Sequence, residues 1–275
     1  MGAWKLLPVG AAALLLAACG SGGGSNSAST SGSTSASPQR AVADALAKTE
    51  ATSSHVFVTV QVYNGRHAVT QYGEHGSLDR SGGDLFIDRR QTGGALIHEI
   101  FQRGDGKLDL YLNPSPAPLA KGKKWLKIDL IRYGKERYGA ETTAFVSADR
   151  EPLQPARLLG SSVAHVTLVG PDFVGPNIPT THYRGHVNVV AAGRAAGVKG
   201  TGLRTLTNDM GKVTQTIDVW VDKQGLIEQL IVSSPQPTAG KGVTLRETVQ
   251  LQDFGKGGAV KAPPASVTQS FYKAP

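Results

Sequence analysis

The sequence predicts a mainly β protein with a few helices, an α+β chain whose strands form an antiparallel sheet. Ten segments read as strands, several of them alternating apolar and polar residues at the period of a half-buried strand. Four joints carry Asn64-Gly65, Gly82-Gly83, Asp105-Gly106 and Gln224-Gly225, which supply the backbone conformations of tight antiparallel turns. Only two segments show a usable helical period.

The first feature in chain order belongs to no fold. Lys5 precedes the apolar run Leu6 to Ala18, which is shorter than the roughly 20 residues a bilayer span needs but suits an export signal. Leu16-Ala17-Ala18-Cys19 resembles the bacterial lipobox, whose cysteine is diacylated, for instance with palmitate, and becomes the new N-terminus. Residues 1–18 are therefore read as a lipoprotein signal peptide and Cys19 as the lipidation site. Ordinary cleavage nearby, an uncleaved anchor or a chance apolar start are the competing readings. Two acyl chains, at about 0.8 kcal/mol per buried methylene, hold a protein stably on a membrane. The expected location is the extracytoplasmic side of the cell membrane.

Gly20 to Ser37 contains only Gly, Ser, Thr, Ala and Asn, and is read with Cys19 as a disordered tether spanning about 25 Å as a coil. Residues 38–275 are read as one domain. With 40% hydrophobic residues it can build a core, and with the single cysteine given to lipid no disulfide helps to hold it. The net charge of +8 falls to +7 without Lys5. Export argues against a nucleic-acid partner, leaving anionic headgroups or a plain solvated basic surface.

Within the domain, Pro38 to Thr52 starts on a proline and places Val42, Ala45, Leu46 and Thr49 at helical spacing. His55 to Tyr63 is a strand with four valines on one face and Phe57 and Tyr63 on the other. Strands follow at Asp84 to Arg89, Leu96 to Gln102, Lys107 to Leu112 and Trp125 to Asp129. A second helix at Glu151 to Leu159 comes next, then strands at Val163 to Val169, Tyr183 to Val190, Val213 to Asp222, Leu226 to Ser233 and Val243 to Phe254. Two short helices cover a broad sheet thinly. The remaining face can close as a barrel, pack on a second sheet or curve around an apolar cavity, and periodicity does not choose among these.

Candidate catalytic groups are scattered. His182 and His186 have a spacing that chelates a metal on a helix, but on a strand they stand about 13 Å apart, so no metal site is expected. His182, Arg184 and His186 are read as a polar outer face, and Asp218 and Asp222 as a solvated pair flanking Trp220. Glu74-His75 and His98-Glu99 offer acids and bases, but no nucleophile-elbow motif accompanies them. Gly255-Lys256-Gly257-Gly258 lacks a phosphate-loop pattern. No catalytic residue and no cofactor is expected.

Trp125-Leu126-Lys127-Ile128-Asp129, Leu158-Leu159, Val169-Gly170, Val174-Gly175, Thr180-Thr181-His182-Tyr183 and Val219 to Leu226 occur in an order that resembles the actinobacterial lipoproteins of the LppX/LprG group, with the LolA-type fold. The resemblance covers roughly Pro38 to Phe254. It implies a strongly bent antiparallel sheet forming a half-barrel, with helices covering the concave face, and a non-catalytic role in binding and carrying lipids or lipidated glycans. An envelope transport partner of unknown identity goes with that role. A structural or interaction lipoprotein without exchangeable ligand is the main alternative, and an envelope hydrolase the last. In a bent sheet, period-two alternation nominates Val56, Val58, Val60 and Val62, then Tyr183, Val187 and Val189, then Val213, Ile217, Val219 and Val221 as ligand-binding faces. Whether Ala191 to Asn208 forms a gate is not legible.

Overall fold

The computed structural model describes residues 37–88, 94–104, 106–140, 151–160, 164–210, 213–236 and 242–272. Cys19, the export signal, the tether up to residue 36, and Arg89, Asp105 and Val163 at expected element ends lie outside the described residues.

Local signals start each element where capping chemistry allows. In α1 (Pro38–Glu50) Pro38 takes a position needing no N–H, and the Ser37 hydroxyl accepts from Arg40 N at 3.3 Å. Strands β1 (Ser54–Asn64), β2 (His67–Asp79), β3 (Gly82–Asp88), β4 (Leu96–Gly104), β5 (Lys107–Asn113) and β6 (Trp125–Asp129) follow as a meander. Helices α2 (Leu130–Tyr138) and α3 (Gln154–Gly160) then precede β7 (His165–Val174) and β8 (Ile178–Asn188). After α4 (Val189–Ala195) and α5 (Gly200–Met210) come β9 (Thr214–Asp222), β10 (Ile227–Pro235), β11 (Val243–Gln252) and the short β12 (Thr268–Ser270).

All twelve strands form one sheet in the order β12-β6-β5-β4-β3-β2-β1-β11-β10-β9-β8-β7. Every pairing is antiparallel except β12 with β6. The two outer strands do not pair, so the sheet is curved but not closed into a barrel. α1 shows why it must curve. Its residues pack on β7, β9 and β10, while its Glu50 reaches Arg103 of β4 at 3.7 Å. Laid flat, β4 and β7 are eight strand spacings apart in the sheet order, or about 38 Å, whereas a helix of this length spans about 20 Å. Bending brings both within its reach.

The observed elements extend the sequence reading in five places. β2 was not anticipated, because Gly73, Gly76 and adjacent polar residues interrupt its alternation. The Arg132 to Arg137 stretch, for which no element was expected, lies within α2, capped by the Asp129 carboxylate on Arg132 N at 2.9 Å and ended by left-handed Gly139. α4 and α5 occupy the stretch around Ala191 to Asn208, for which no element was expected. β12 adds a strand beside β6. The Gly82-Gly83 turn is displaced: the turn lies at Arg80 and Ser81, closed by the Asp79 carboxylate accepting from Ser81 N and Gly82 N at 2.7 and 3.1 Å, and both glycines open β3.

One large cluster fills the concave side, drawing on every strand from β6 round to β7 and on α1, α2 and α3. A second cluster of Tyr138, Val189, Val198, Leu206 and Val213 joins α2, which follows β6, to α4, α5 and the entry to β9. It thereby links two distant sectors of the bent sheet. The helices cross closely there, since a Cβ on Gly202 would lie 1.8 Å from the Tyr138 carbonyl oxygen.

Candidate functional site

The concave face is built by register. Val58, Val249, Leu230, Val219 and Tyr183 stand side by side across β1, β11, β10, β9 and β8. Val60, Glu247, Val232 and Ile217 form the adjacent row. Of the nominated residues, Val56, Val58, Val60, Val187, Ile217, Val219 and Val221 are buried members of the main cluster, and Tyr183 packs against it partly exposed. Val62 is half-buried. Val189 departs from the expectation: Asn188 ends the strand by capping α4, its side chain accepting from Ala191 N at 3.0 Å, so Val189 opens that helix and joins the second cluster with Val213.

The trough is covered in this conformation. Val56, Val58, Ile217 and Val219 are at most 1% exposed, with α1 and α3 packed across the same cluster. Thr49 pins α1, its hydroxyl donating to Ala45 O at 2.8 Å and accepting from Ile227 N at 2.9 Å. A buried ionic clasp fastens both helices to the far arm of the sheet. Glu151 lies between Arg103 of β4 and Arg157 of α3, and Arg157 also bonds Glu50 of α1. Burial alone would raise the Glu151 carboxyl, but the two guanidinium groups outweigh it and hold the group below its ordinary value. Under the clasp, Thr49, Leu78, Phe101, Arg103 and Leu153 line a cavity of about 10 Å³, near the lower limit for one water.

The concave face also carries carboxylates that periodicity alone does not flag as buried. Glu74, Glu99 and Glu247 are buried among apolar neighbours, and each is engaged in a polar or electrostatic interaction. The Glu-His dipeptides split across the sheet. His75 and His98 stack with Phe86 on the convex side, at 5.7 and 4.2 Å between ring centroids, while Glu74 and Glu99 sit in rows with Val58 and Leu85 on the other. Adjacent residues on opposite faces cannot act as an acid and base on one substrate.

Two expectations for the convex face need correction. His182 is not a plain surface group: it is buried, stacks on Trp220 at 4.3 Å and meets the Asp218 carboxylate at 2.6 Å. Asp218 and Asp222 are not a solvated pair. Asp218 is buried and accepts from Arg184 Nε at 2.7 Å, while Asp222 accepts from the backbone N–H groups of Gln224 and Leu226 at 2.8 Å each. Trp220 donates to Asp172 at 2.8 Å and packs with Val174 and Ile231, so the β7–β8 hairpin shields the outer face here. A hollow of about 350 Å³ on this side is lined by His55, Phe57, His75, Asp84 and Phe86. Among the described residues, no three His, Cys, Asp or Glu side chains converge as metal ligands, and no helix is long and apolar enough to cross a membrane.

No family model matches the sequence. The chain is 27% identical over 255 residues to an uncharacterized 31.2 kDa protein of Streptomyces griseus, an alignment taking in 86% of this chain and 80% of that protein. Among solved structures it is similar to LprF from Mycobacterium bovis, with a TM-score of 0.41 and 12% identity over 82% of this chain and 96% of that one. The lipoprotein LppX from Mycobacterium tuberculosis gives a TM-score of 0.39 and 11% identity over 81% and 97%. A LolA superfamily protein from Nitrosomonas europaea gives 0.33 and 9% over 87% and 100%. The lipoprotein group that the sequence signatures resemble and the LolA-type fold are thus both represented among the structures similar to this chain.

Proposed function

We propose that this protein is a non-catalytic envelope lipoprotein, anchored to the extracytoplasmic face of the membrane through Cys19 and tethered by residues 20–37. Its domain, residues 38–275, takes acyl chains of a lipid or lipidated glycan between the concave sheet face and the covering helices. One observation supports this reading above the others: among the described residues the apolar trough is covered by separate short helices and not by a second sheet. The helices can therefore lift without breaking a strand ladder. A buried alkyl chain contributes about 0.8 kcal/mol per methylene, so apolar walls suffice for affinity once the trough opens. The separation of Glu74 from His75 and of His98 from Glu99 supports a binding role over a hydrolytic one.

Native mass spectrometry of the mature protein from its own membrane tests the proposal. A reproducible lipid-sized increment beyond the anchor is expected, and a bare anchored mass overturns the carrier reading. The near-complete burial of Val58, Ile217 and Val219 favours a second reading, a structural lipoprotein with a filled core. Val187→Trp and Val219→Trp separate the two. In a core that cannot open, each costs about 1–3 kcal/mol. In a trough that opens, at least one displaces a fluorescent fatty acid while the melting temperature holds.

A further inference from the structure

Among the described residues seven large apolar side chains are strongly exposed, and four of them, Leu168, Val169, Phe173 and Ile178, belong to the β7–β8 hairpin. Leu168 is 57% and Phe173 62% exposed. The hairpin lies at the outer edge of the sheet and overhangs it: the β8–β9 ladder begins at Thr180 opposite Asp222, leaving Ile178, Pro179 and the turn beyond the end of β9. Strand addition is a poor use for this edge. The register shifts between Leu168 and Gly170, leaving Val169 in a bulge, and Pro171 has no N–H to donate.

The outer part of the hairpin also carries little charge. Residues 166–181 contain one ionisable side chain, Asp172, in a chain that is 18% charged. That carboxylate is turned back onto Trp220 at 2.8 Å and lies 3.7 Å from His182. Cations flank the tip. At the neighbouring β9–β10 turn Lys223 is exposed, and exposed Lys48 donates to the Gln224 carbonyl. The nearby Asp222 is occupied by backbone N–H groups. An apolar projection with a single, inward-turned carboxylate and two lysines beside its base has the chemistry of a lipid interface.

We propose that the β7–β8 hairpin is a membrane-docking element that inserts Leu168, Val169, Phe173 and Ile178 into the interface of an anionic bilayer, with Lys48 and Lys223 against its headgroups. The proposal rests on the anchored, lipid-binding reading for what brings the domain to a membrane. α1 is 13 residues long and Lys48 near its C-terminal end bonds Gln224 at the tip end of the domain, so its N-terminus lies about 20 Å further along its axis, and a tether of the kind expected from the sequence of residues 20–37 would reach about 25 Å. Docking also gives cargo a route. Leu168 pairs with Tyr183, which pairs with Val219, so the inserted edge continues directly into the apolar row of the trough.

The test uses the full mature chain in phosphatidylglycerol vesicles containing lipids brominated on the acyl chains. Phe173→Trp and Ile178→Trp report insertion, and Arg66→Trp on the distant β1–β2 turn is the control. After subtraction of the wild-type signal, quenching of the added indole by about half is expected at 173 and 178, with little at 66. Lys48→Gln and Lys223→Gln each weaken insertion about fivefold on phosphatidylglycerol and leave it unchanged on phosphatidylcholine. Co-flotation reports the anchor independently. A chain that floats while both hairpin indoles stay unquenched overturns the docking element and leaves the anchor standing. Equal quenching at 66 and 173 overturns it as well, because the domain then has no preferred face. Hairpin protection from proteolysis that needs native membranes and fails on pure lipid assigns the surface to a protein partner and also overturns it. Quenching without any bound lipid mass supports docking and removes only the cargo reading.

Discussion

The concave and convex faces are made by the same strands, yet they bury their residues by different means. On the concave side, alternation delivers mostly apolar side chains in rows, interrupted by buried carboxylates such as Glu247, and α1 and α3 cover them. On the convex side burial is local. The hairpin shelters His182, Asp218 and Trp220, and the C-terminal segment lays Val260 against Ile100 and Tyr111, its N–H donating to Asp79 at 2.8 Å. A residue's face follows from its parity along the strand. Its depth depends on which distant segment arrives to cover it.

The largest expected effect lies in the clasp, where the covering helices meet the sheet. Glu151→Ala leaves Arg103 and Arg157 without their shared buried partner and costs about 3–5 kcal/mol, read as a drop in the denaturation midpoint. The pH sign follows from the lowered carboxyl. Its contribution is fully present above the ordinary carboxylate value and is lost as pH falls through the lower folded value, so acid should release the helices first. Wild-type and variant stabilities that converge only at neutral pH would contradict that assignment.

Neighbouring residues on β10 sharpen the contrast between faces. Leu230→Ala on the concave side should cost about 2–5 kcal/mol, whereas Gln229→Ala on the convex side should stay within about 0.5 kcal/mol. Similar losses from the two would mean that the faces are not distinct. Trp220→Phe tests local shelter on the convex face. It keeps an aromatic ring but removes the hydrogen bond to Asp172, for about 1 kcal/mol, and a variant as stable as wild type would show the hairpin contact to be incidental.

A further contrast is a pH slope. Burial first, and the charge of Asp222 second, push the Glu228 carboxyl up to about 7. Its contribution is therefore fully present below the ordinary value of 4.5 and is lost as pH rises through about 7. Glu228→Gln should raise the melting temperature near pH 8 relative to wild type and change it little near pH 4. An equal shift at both ends would tie the effect to packing instead of charge.

Much of the fold was legible because its signals are local. Val56, Val58 and Val60 share a face by period alone, and Gly65 and Gly225 mark their turns because those positions take φ values of 63° and 79°. β2 was hidden by its glycines and polar residues, and its place between β1 and β3 rests on pairing at both edges. The caps of α2 and α4, Asp129 and Asn188, were present to be read. Helices of nine and seven residues carry too little periodicity to announce themselves, and short helices depend on tertiary packing for their stability.

The sequence by itself determined the strand faces, most of the turns and the largely apolar character of the trough, since each follows from residues within a few positions of one another. Only the tertiary structure decided that the trough is covered, that Val189 leaves the strand for a helix, and that His182 and Asp218 are buried on the outside. It also decided that Glu151 shares its charge with arginines from two elements. These outcomes depend on segments far apart in the chain meeting across a bent sheet. Curvature of that kind is the sum of twists and contacts over twelve strands, and no short window of residues contains it.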